Sequence, residues 1–330
     1  MTRKIIYLIN PISGTRGKSS LQELIKGRTQ QEGIEFRIMP TDAAGQYGYL
    51  IPIIEKEQIT DIVICGGDGT VSAVAAALTG TGVRIGVIPM GSGNGLAFAA
   101  GIPKDPGRAL DIIFAGKASD IDAFRINGRF SCMLCGIGFD AEVAHDFASQ
   151  PRRGLQTYIK VSLRHFFRAR CYSFQIGLGS RTGAASQSGA GGPAGGGGPA
   201  GGSTAAGGGA AVSFEVGAFF IDIANGNQFG NNVTIAPKAE LHDGLLDIVI
   251  IKKASRPRLL WSAIRQVRGG YPVTVDPTDA GSKKVLYFQT PALVIANPDG
   301  APLHVDGDPA PSADVFSIEV VPRAIRLIQP

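Results

Sequence analysis

Cys65-Gly66-Gly67-Asp68-Gly69-Thr70-Val71 places one carboxylate inside a glycine-rich turn. Glycines let the backbone approach a ligand where a Cβ would clash, and the N–H groups that open a following helix favour an anion. A carboxylate among phosphates makes chemical sense when a divalent cation lies between them. The turn therefore points to a Mg²⁺-nucleotide site and to phosphoryl transfer. Three more segments could join it. Asn10-Pro11-Ile12-Ser13-Gly14-Thr15 offers polar side chains and a glycine to a phosphate. Pro89-Met90-Gly91-Ser92-Gly93-Asn94 could wrap a nucleotide, with Ser92 and Asn94 as hydrogen-bond donors. His304-Val305-Asp306-Gly307-Asp308 sets two carboxylates around a glycine, one suited to accept a proton and the other to serve a metal. Taken singly, the first and last of these also read as ordinary turns. The Gly91 segment lies too late in the chain, with the wrong spacing, for a dinucleotide fingerprint, and no GxxxxGK[ST] occurs. Cys132 and Cys135 form a CxxC in a strand-like run, where residues three apart face opposite ways. They read as buried small side chains. His145, His165, His242 and His304 lack ligand spacing and read as structural, with His304 close to the acidic turn.

The elements that must position these groups follow from hydrophobic pattern. Lys4 to Ile9, Phe36 to Met39, Asp61 to Cys65 and Val83 to Pro89 read as buried strands. Helices alternate with them over Lys18 to Gln31, Ala43 to Lys56 and Val71 to Leu78, and another begins at Gly95. Continuous apolar strands between helices imply a parallel sheet covered on both faces, with ligands at its carboxyl edge. Beyond about residue 119 the texture changes to short β-branched and aromatic runs, the pattern of an antiparallel sandwich. One helical interruption is expected over Gln156 to Ala169. The predicted organisation is an α/β nucleotide-binding domain over 1–118 and an all-β sandwich over 119–330, with residues 312–330 able to pack back on the first domain. Residues 179–211 are almost wholly Gly, Ala, Ser and Pro and read as a flexible insertion.

Hydrophobic content of 44% with 18% charged residues is that of a globular enzyme. A net charge of +5 makes no case for nucleic acid. The apolar run Ile5 to Ile9 is too short for a secretory leader, so a cytoplasmic chain, peripheral to a membrane at most, is expected.

Taken together the segments resemble the diacylglycerol kinase catalytic-domain family, which includes bacterial lipid kinases and sphingosine kinases. The matching residues are Asn10-Pro11 with Ser13-Gly14, Gly66 to Thr70, Gly91 to Asn94, Gly136-Ile137-Gly138-Phe139-Asp140, Asn225-Gly226, Ala236 to Ala239, Asp243 to Asp247 and Asp306-Gly307-Asp308. The resemblance implies a two-domain fold with ATP and a lipid headgroup meeting in the cleft. It gives the nucleotide to Asn10, Thr41, Gly66, Gly67, Asp68, Gly69, Thr70, Val71, Ser72, Ser92, Gly93 and Asn94. It gives the catalytic Mg²⁺ to Asp68, with Asp308 beside it, and proton acceptance to Asp306. A structural Mg²⁺ would take the carbonyls of Glu240 and Leu245 and the Asp243 carboxylate. Two departures stand out. The family usually has Glu at Asp308, and Gly91-Ser92-Gly93-Asn94-Gly95 looks more like the sphingosine-kinase version.

Between Asp146 and Glu215 there is no acidic residue. Arg152, Arg153, Lys160, Arg164, Arg168 and Arg170 interleave there with Leu155, Tyr158, Ile159, Val161, Leu163 and Phe166. Such a basic amphipathic helix suits transient docking on anionic lipid, or simple packing by its apolar face. The expected activity is ATP- and Mg²⁺-dependent phosphorylation of a lipid hydroxyl. An NAD kinase and a non-catalytic lipid or nucleotide sensor of the same fold are the alternatives, and a homodimer is left open.

Overall fold

The computed structural model describes residues 2–9, 18–151, 155–166, 168–178, 213–230, 233–252 and 285–330. The Asn10 to Thr15 segment and the 179–211 insertion lie outside the described residues, as do Arg152, Arg153 and the insertion's Arg181.

Strands β1 (Lys4–Ile9), β2 (Glu35–Pro40), β3 (Asp61–Gly66) and β4 (Arg84–Pro89) pair in parallel in the order β2-β1-β3-β4. Every residue of β3 is buried, as a strand covered on both faces requires. Helices α1 (Lys18–Gln31), α2 (Leu50–Glu57), α3 (Asp68–Leu78), α4 (Gly95–Ala99) and α5 (Pro106–Ala115) complete this half. The start of α5 is written in its sequence: the Asp105 carboxylate accepts from Arg108 N at 2.9 Å, Pro106 follows, and Gly116 closes the helix at φ 65°. The helix expected from Ala43 begins only at Leu50. The Asp42 carboxylate instead accepts from the amides of Ala44 and Gln46, and Gly45 sits at φ 70°, so local turns claim this stretch.

The second half is an antiparallel sandwich built from β5 (Ala118–Ile126), β6 (Arg129–Ser131), β7 (Leu134–Gly138), β8 (Tyr172–Leu178), β9 (Ser213–Ala224), β12 (Leu246–Lys252), β13 (Val285–Thr290), β14 (Ala292–Ala296), β15 (Leu303–Val305), β16 (Asp308–Ala310) and β17 (Val315–Ile328). A small ribbon, β10 (Gln228–Gly230) with β11 (Val233–Thr234), stands beside it. Helix α6 (Phe139–Ser149) was not anticipated, whereas α7 (Leu155–Phe166) falls where the helical interruption was expected. One apolar core fills the first half and reaches Cys132, Met133 and Leu241 of the second, and two others lie within the sandwich half.

One strand belongs to both. The first part of β17 pairs with β14, and its last residues pair in parallel with β4 through Arg326–Arg84 and Leu327–Ile85. Between them the pairing with β5 breaks at a bulge over Val321 to Ile325, where Arg323 takes φ 50°. The buried Asp122 holds this bulge by accepting from Arg323 N at 2.8 Å. At the edge opposite the glycine loops, Asp61 is fully buried and paired with Arg3 at 2.9 Å and Arg84 at 2.6 Å.

Candidate functional site

The parallel register aligns the ends of β2, β1, β3 and β4 at one edge, with Ile9 opposite both Pro40 and Cys65, and Gly66 opposite Pro89. The glycine loops emerge side by side there. A Cβ on Gly91 would stand 2.6 Å from the Gly67 Cα, and one on Gly67 would stand 3.1 Å from the Gly91 Cα. These two turns pack backbone on backbone, which only glycine permits. Asn94 fixes the second loop from within: it is buried at φ 55°, accepts from Gly91 N at 2.8 Å and donates to the Gly91 carbonyl at 2.8 Å.

Asp68 opens α3 and crosses to the start of α4. Its two carboxylate oxygens accept from Gly95 N at 2.9 Å and Leu96 N at 3.1 Å. Burial pushes its pKa up, and these amides oppose the shift. Thr41, buried at the end of β2, donates its amide to the Ile9 carbonyl at 3.1 Å.

The acidic segment arrives from the other half as a hairpin. β15 and β16 pair Val305 with Asp308, leaving Asp306 at φ 50° and Gly307 at φ 84° as a two-residue loop. Positive φ at both positions is the type I′ turn that Asp-Gly favours. The Asp306 carboxylate accepts from the Ser72 hydroxyl, from Ser131 Oγ at 2.8 Å, and from the amides of Met133 and Leu134, each at 3.2 Å. Ser72 lies in α3, next to the Asp68 turn. Burial pushes the Asp306 pKa up to about 6; the serine hydroxyls oppose this and the Asp68 charge adds to it. Asp308 is exposed, and its carboxylate covers Gly69 so closely that a Cβ there would overlap it. The glycine turn and the hairpin turn thus lie in direct contact.

Cys132 and Cys135 are free and buried, and burial pushes both thiols well up. Cys132 Sγ lies 2.9 Å from Ser72 Oγ. At the 240–245 turn the Asp243 carboxylate accepts from Leu245 N at 2.9 Å, and Asp122 accepts from Gly244 N at 2.7 Å. Burial raises the Asp243 pKa, with the Glu240 and Asp122 charges adding to it. Carboxylate oxygens are the hard donor type that Mg²⁺ takes.

Sequence reading passed over a second buried cluster. Asp140, Asp222 and His304 bring one potential ligand atom each within 4.8 Å of one another, all buried. The run Phe219-Phe220-Ile221-Asp222-Ile223 carried the signal, a lone carboxylate in an apolar strand.

Comparison with known proteins matches this architecture half by half. The model of the diacylglycerol kinase catalytic domain matches residues 4–126, and that of the YegS C-terminal NAD kinase beta sandwich-like domain matches residues 136–329. A protein named diacylglycerol kinase from Mycobacterium tuberculosis (strain CDC 1551) is 26% identical over 338 residues, spanning 99% of this chain and 95% of the relative. One named "Probable lipid kinase YegS-like" from Shewanella frigidimarina is 27% identical, spanning 94% of this chain and 88% of its own. A crystal structure of a diacylglycerol kinase from Bacillus anthracis shares the fold at TM-score 0.67 and 15% identity, covering 99% of this chain and 97% of that one. With both halves matched in order, and glycine loops and acidic hairpin facing each other between them, the chain belongs to the family of diacylglycerol kinase and YegS-like lipid kinases.

Proposed function

We propose that this lipid kinase uses ATP and Mg²⁺ to phosphorylate a hydroxyl of diacylglycerol, a sphingoid base or a related lipid. The observation that supports this most directly is the meeting of two turns. The Asp68 turn and the Asp306-Gly307-Asp308 hairpin face one another, linked by the Ser72–Asp306 hydrogen bond and by Asp308 against Gly69.

In this reading the amides from Gly66 to Ser72 hold the nucleotide phosphates, with Asn10, Thr41, Ser92 and Gly93 as further contacts. Asn94 spends its side chain on Gly91, so its part is to shape the loop. Magnesium, when bound, neutralises charge between the phosphate oxygens and the carboxylates. Asp68 suits it, because each carboxylate oxygen keeps a lone pair beyond its amide bond. Glu240, Asp243 and Leu245 would hold a second, structural ion.

We assign proton acceptance to the hairpin turn, and within it to Asp308 rather than Asp306. Four donors engage the Asp306 carboxylate, which suits it to fixing the turn. Asp308 presents an exposed carboxylate to a substrate hydroxyl. Helix α7 would bring the chain to the lipid: Ile159 and Leu163 are 44% and 41% exposed, one turn apart, beside exposed Lys160 and Arg164.

Radiolabelled ATP with a total lipid extract tests the reading. A Mg²⁺-dependent labelled lipid is expected. Label in NAD and in no lipid would favour the NAD kinase alternative, toward which the name of the matched C-terminal domain points. Label in neither would leave a non-catalytic sensor.

A further inference from the structure

The cluster of Asp140, Asp222 and His304 has a geometry that ties it to the hairpin turn. Three neighbouring strands bring His304 of β15 and Asp222 of β9 to either side of Gly136 on β7, in matching register. Residues in register on adjacent strands share a face. Because Gly136 has no side chain, the gap between the two is open, and Asp140 drops into it from the first turn of α6. A Cβ on Gly136 would overlap the Asp140 carboxylate and stand 2.6 Å from His304 Nε2.

The hydrogen bonds then run in one direction. Asp140 Oδ1 accepts from Ala141 N at 2.9 Å, and Asp140 Oδ2 lies 2.9 Å from His304 Nε2. The other ring nitrogen, Nδ1, lies 3.3 Å from the Gly307 amide. That amide is an N–H, so Nδ1 must be the acceptor and the ring proton must sit on Nε2, donating to Asp140. This assignment also argues against a metal on Nε2, since a neutral metal-bound imidazole would carry its proton on Nδ1, facing the Gly307 N–H. Asp222 is fully buried behind the pair. Burial first, then the Asp140 charge, pushes its pKa well up. Tyr158 of α7 faces the same two carboxylates, and its phenol is raised chiefly by burial.

We propose that His304 is a positioning residue: Asp140 fixes its tautomer, and its Nδ1 holds the Gly307 amide so that the Asp306-Gly307-Asp308 turn stands against the Asp68 loop. The proposal rests on the reading that this turn carries the proton acceptor.

Two substitutions divide the ring's two jobs. His304→Asn keeps an acceptor near the Nδ1 position and loses the link to Asp140. His304→Gln keeps a donor near Nε2 and loses the acceptor under Gly307. With MgATP and a saturating lipid extract, His304→Gln should lose about tenfold or more in kcat, the scale of one functional hydrogen bond. Its KM for ATP should be unchanged, and His304→Asn should stay within about threefold of the parent. Asp140→Asn should behave as His304→Gln does. Ala141 N holds the amide oxygen at the Oδ1 position, so the NH₂ faces Nε2 and drives the ring to the wrong tautomer. Equal kcat for the two His304 variants, or parental kcat for Asp140→Asn, overturns the proposal. So does a loss expressed in the ATP KM. Should a variant fail to fold, ¹⁵N-histidine NMR on the parent protein still decides: His304 protonated on Nε2 is expected, and protonation on Nδ1 refutes it. Asp308→Asn separates the two layers, since parental turnover there would remove the proton-acceptor reading and leave the tautomer result standing.

Discussion

Asp222 sits at zero exposure between isoleucines of β9, beside the buried Asp140 carboxylate. Burial and the Asp140 charge raise its folded pKa well above that of an aspartate in an unfolded chain, about 4. Between those two values the folded protein keeps a proton that the unfolded chain releases. Its favourable contribution is therefore whole below about pH 4 and is lost as pH rises toward the folded pKa. Asp222→Asn should flatten that fall by about 1.4 kcal/mol per pH unit, read by urea unfolding at stepped pH. Asp68 has a different balance. Asp68→Ala should abolish phosphotransfer and also cost about 1–2 kcal/mol, because the amides of Gly95 and Leu96 lose their acceptor. Turnover and denaturant midpoints measured on one preparation give both numbers, and unchanged turnover would count against the metal role. At this scale residue type was readable and partnership was not. The Gly66 to Thr70 turn announced an anion site through glycines and one acid. The bonds of Asp68 to α4, or of Asp306 to Ser131 and Ser72, join residues far apart in the chain and leave no local trace.

Among elements, the loops after β3 and β4 depend on mutual contact between two glycines. Gly91→Ala would set a methyl 2.6 Å from the Gly67 Cα, where no flexible side chain can yield. Nucleotide affinity should fall at least tenfold, a loss of about 1.4 kcal/mol, by calorimetry with MgATP. Helix α7 makes the membrane prediction. Val161 is buried and Tyr158 packs edge-on against Phe147, while Ile159 and Leu163 face outward. An Ile159→Glu/Leu163→Glu double variant should weaken sedimentation with phosphatidylserine vesicles and leave turnover of a short-chain, dispersed acceptor unchanged. Equal binding of the parent to neutral and anionic vesicles would sink the docking idea. The parallel strands were legible because each is a continuous apolar run. Helix α2 was overextended because Asp42 and Gly45 compete locally with an apolar pattern that continues through them. Helix α6 was passed over because Gly136 to Asp140 reads as a motif and its start at Gly138, with φ 101°, carries no capping side chain.

For the molecule as a whole, Asp61 and β17 carry different loads. Asp61 lies buried between Arg3 and Arg84 at the edge away from the glycine loops. Asp61→Ala would leave Arg3 and Arg84 only their carbonyl acceptors, costing about 3 kcal/mol in denaturant unfolding, with the kcat of the protein that remains folded intact. The division into an α/β half and an all-β half was visible in the change of texture near residue 119. The return of residues 312–330 to the first half was expected, but not that one strand would serve both sheets, because Val315 to Ile328 reads as two apolar runs interrupted by Pro322-Arg323. The bulge at Arg323 is what lets a single strand serve two sheets. During synthesis this sets an order of events. β4 leaves the ribosome early with one edge bare, and its neighbour on that side is not made until Arg326 and Leu327 emerge. Until then the nascent nucleotide-binding half carries an open edge, a ready template for pairing with other chains. Expression yield should therefore depend on chaperone supply during elongation more steeply than on the stability of the finished protein.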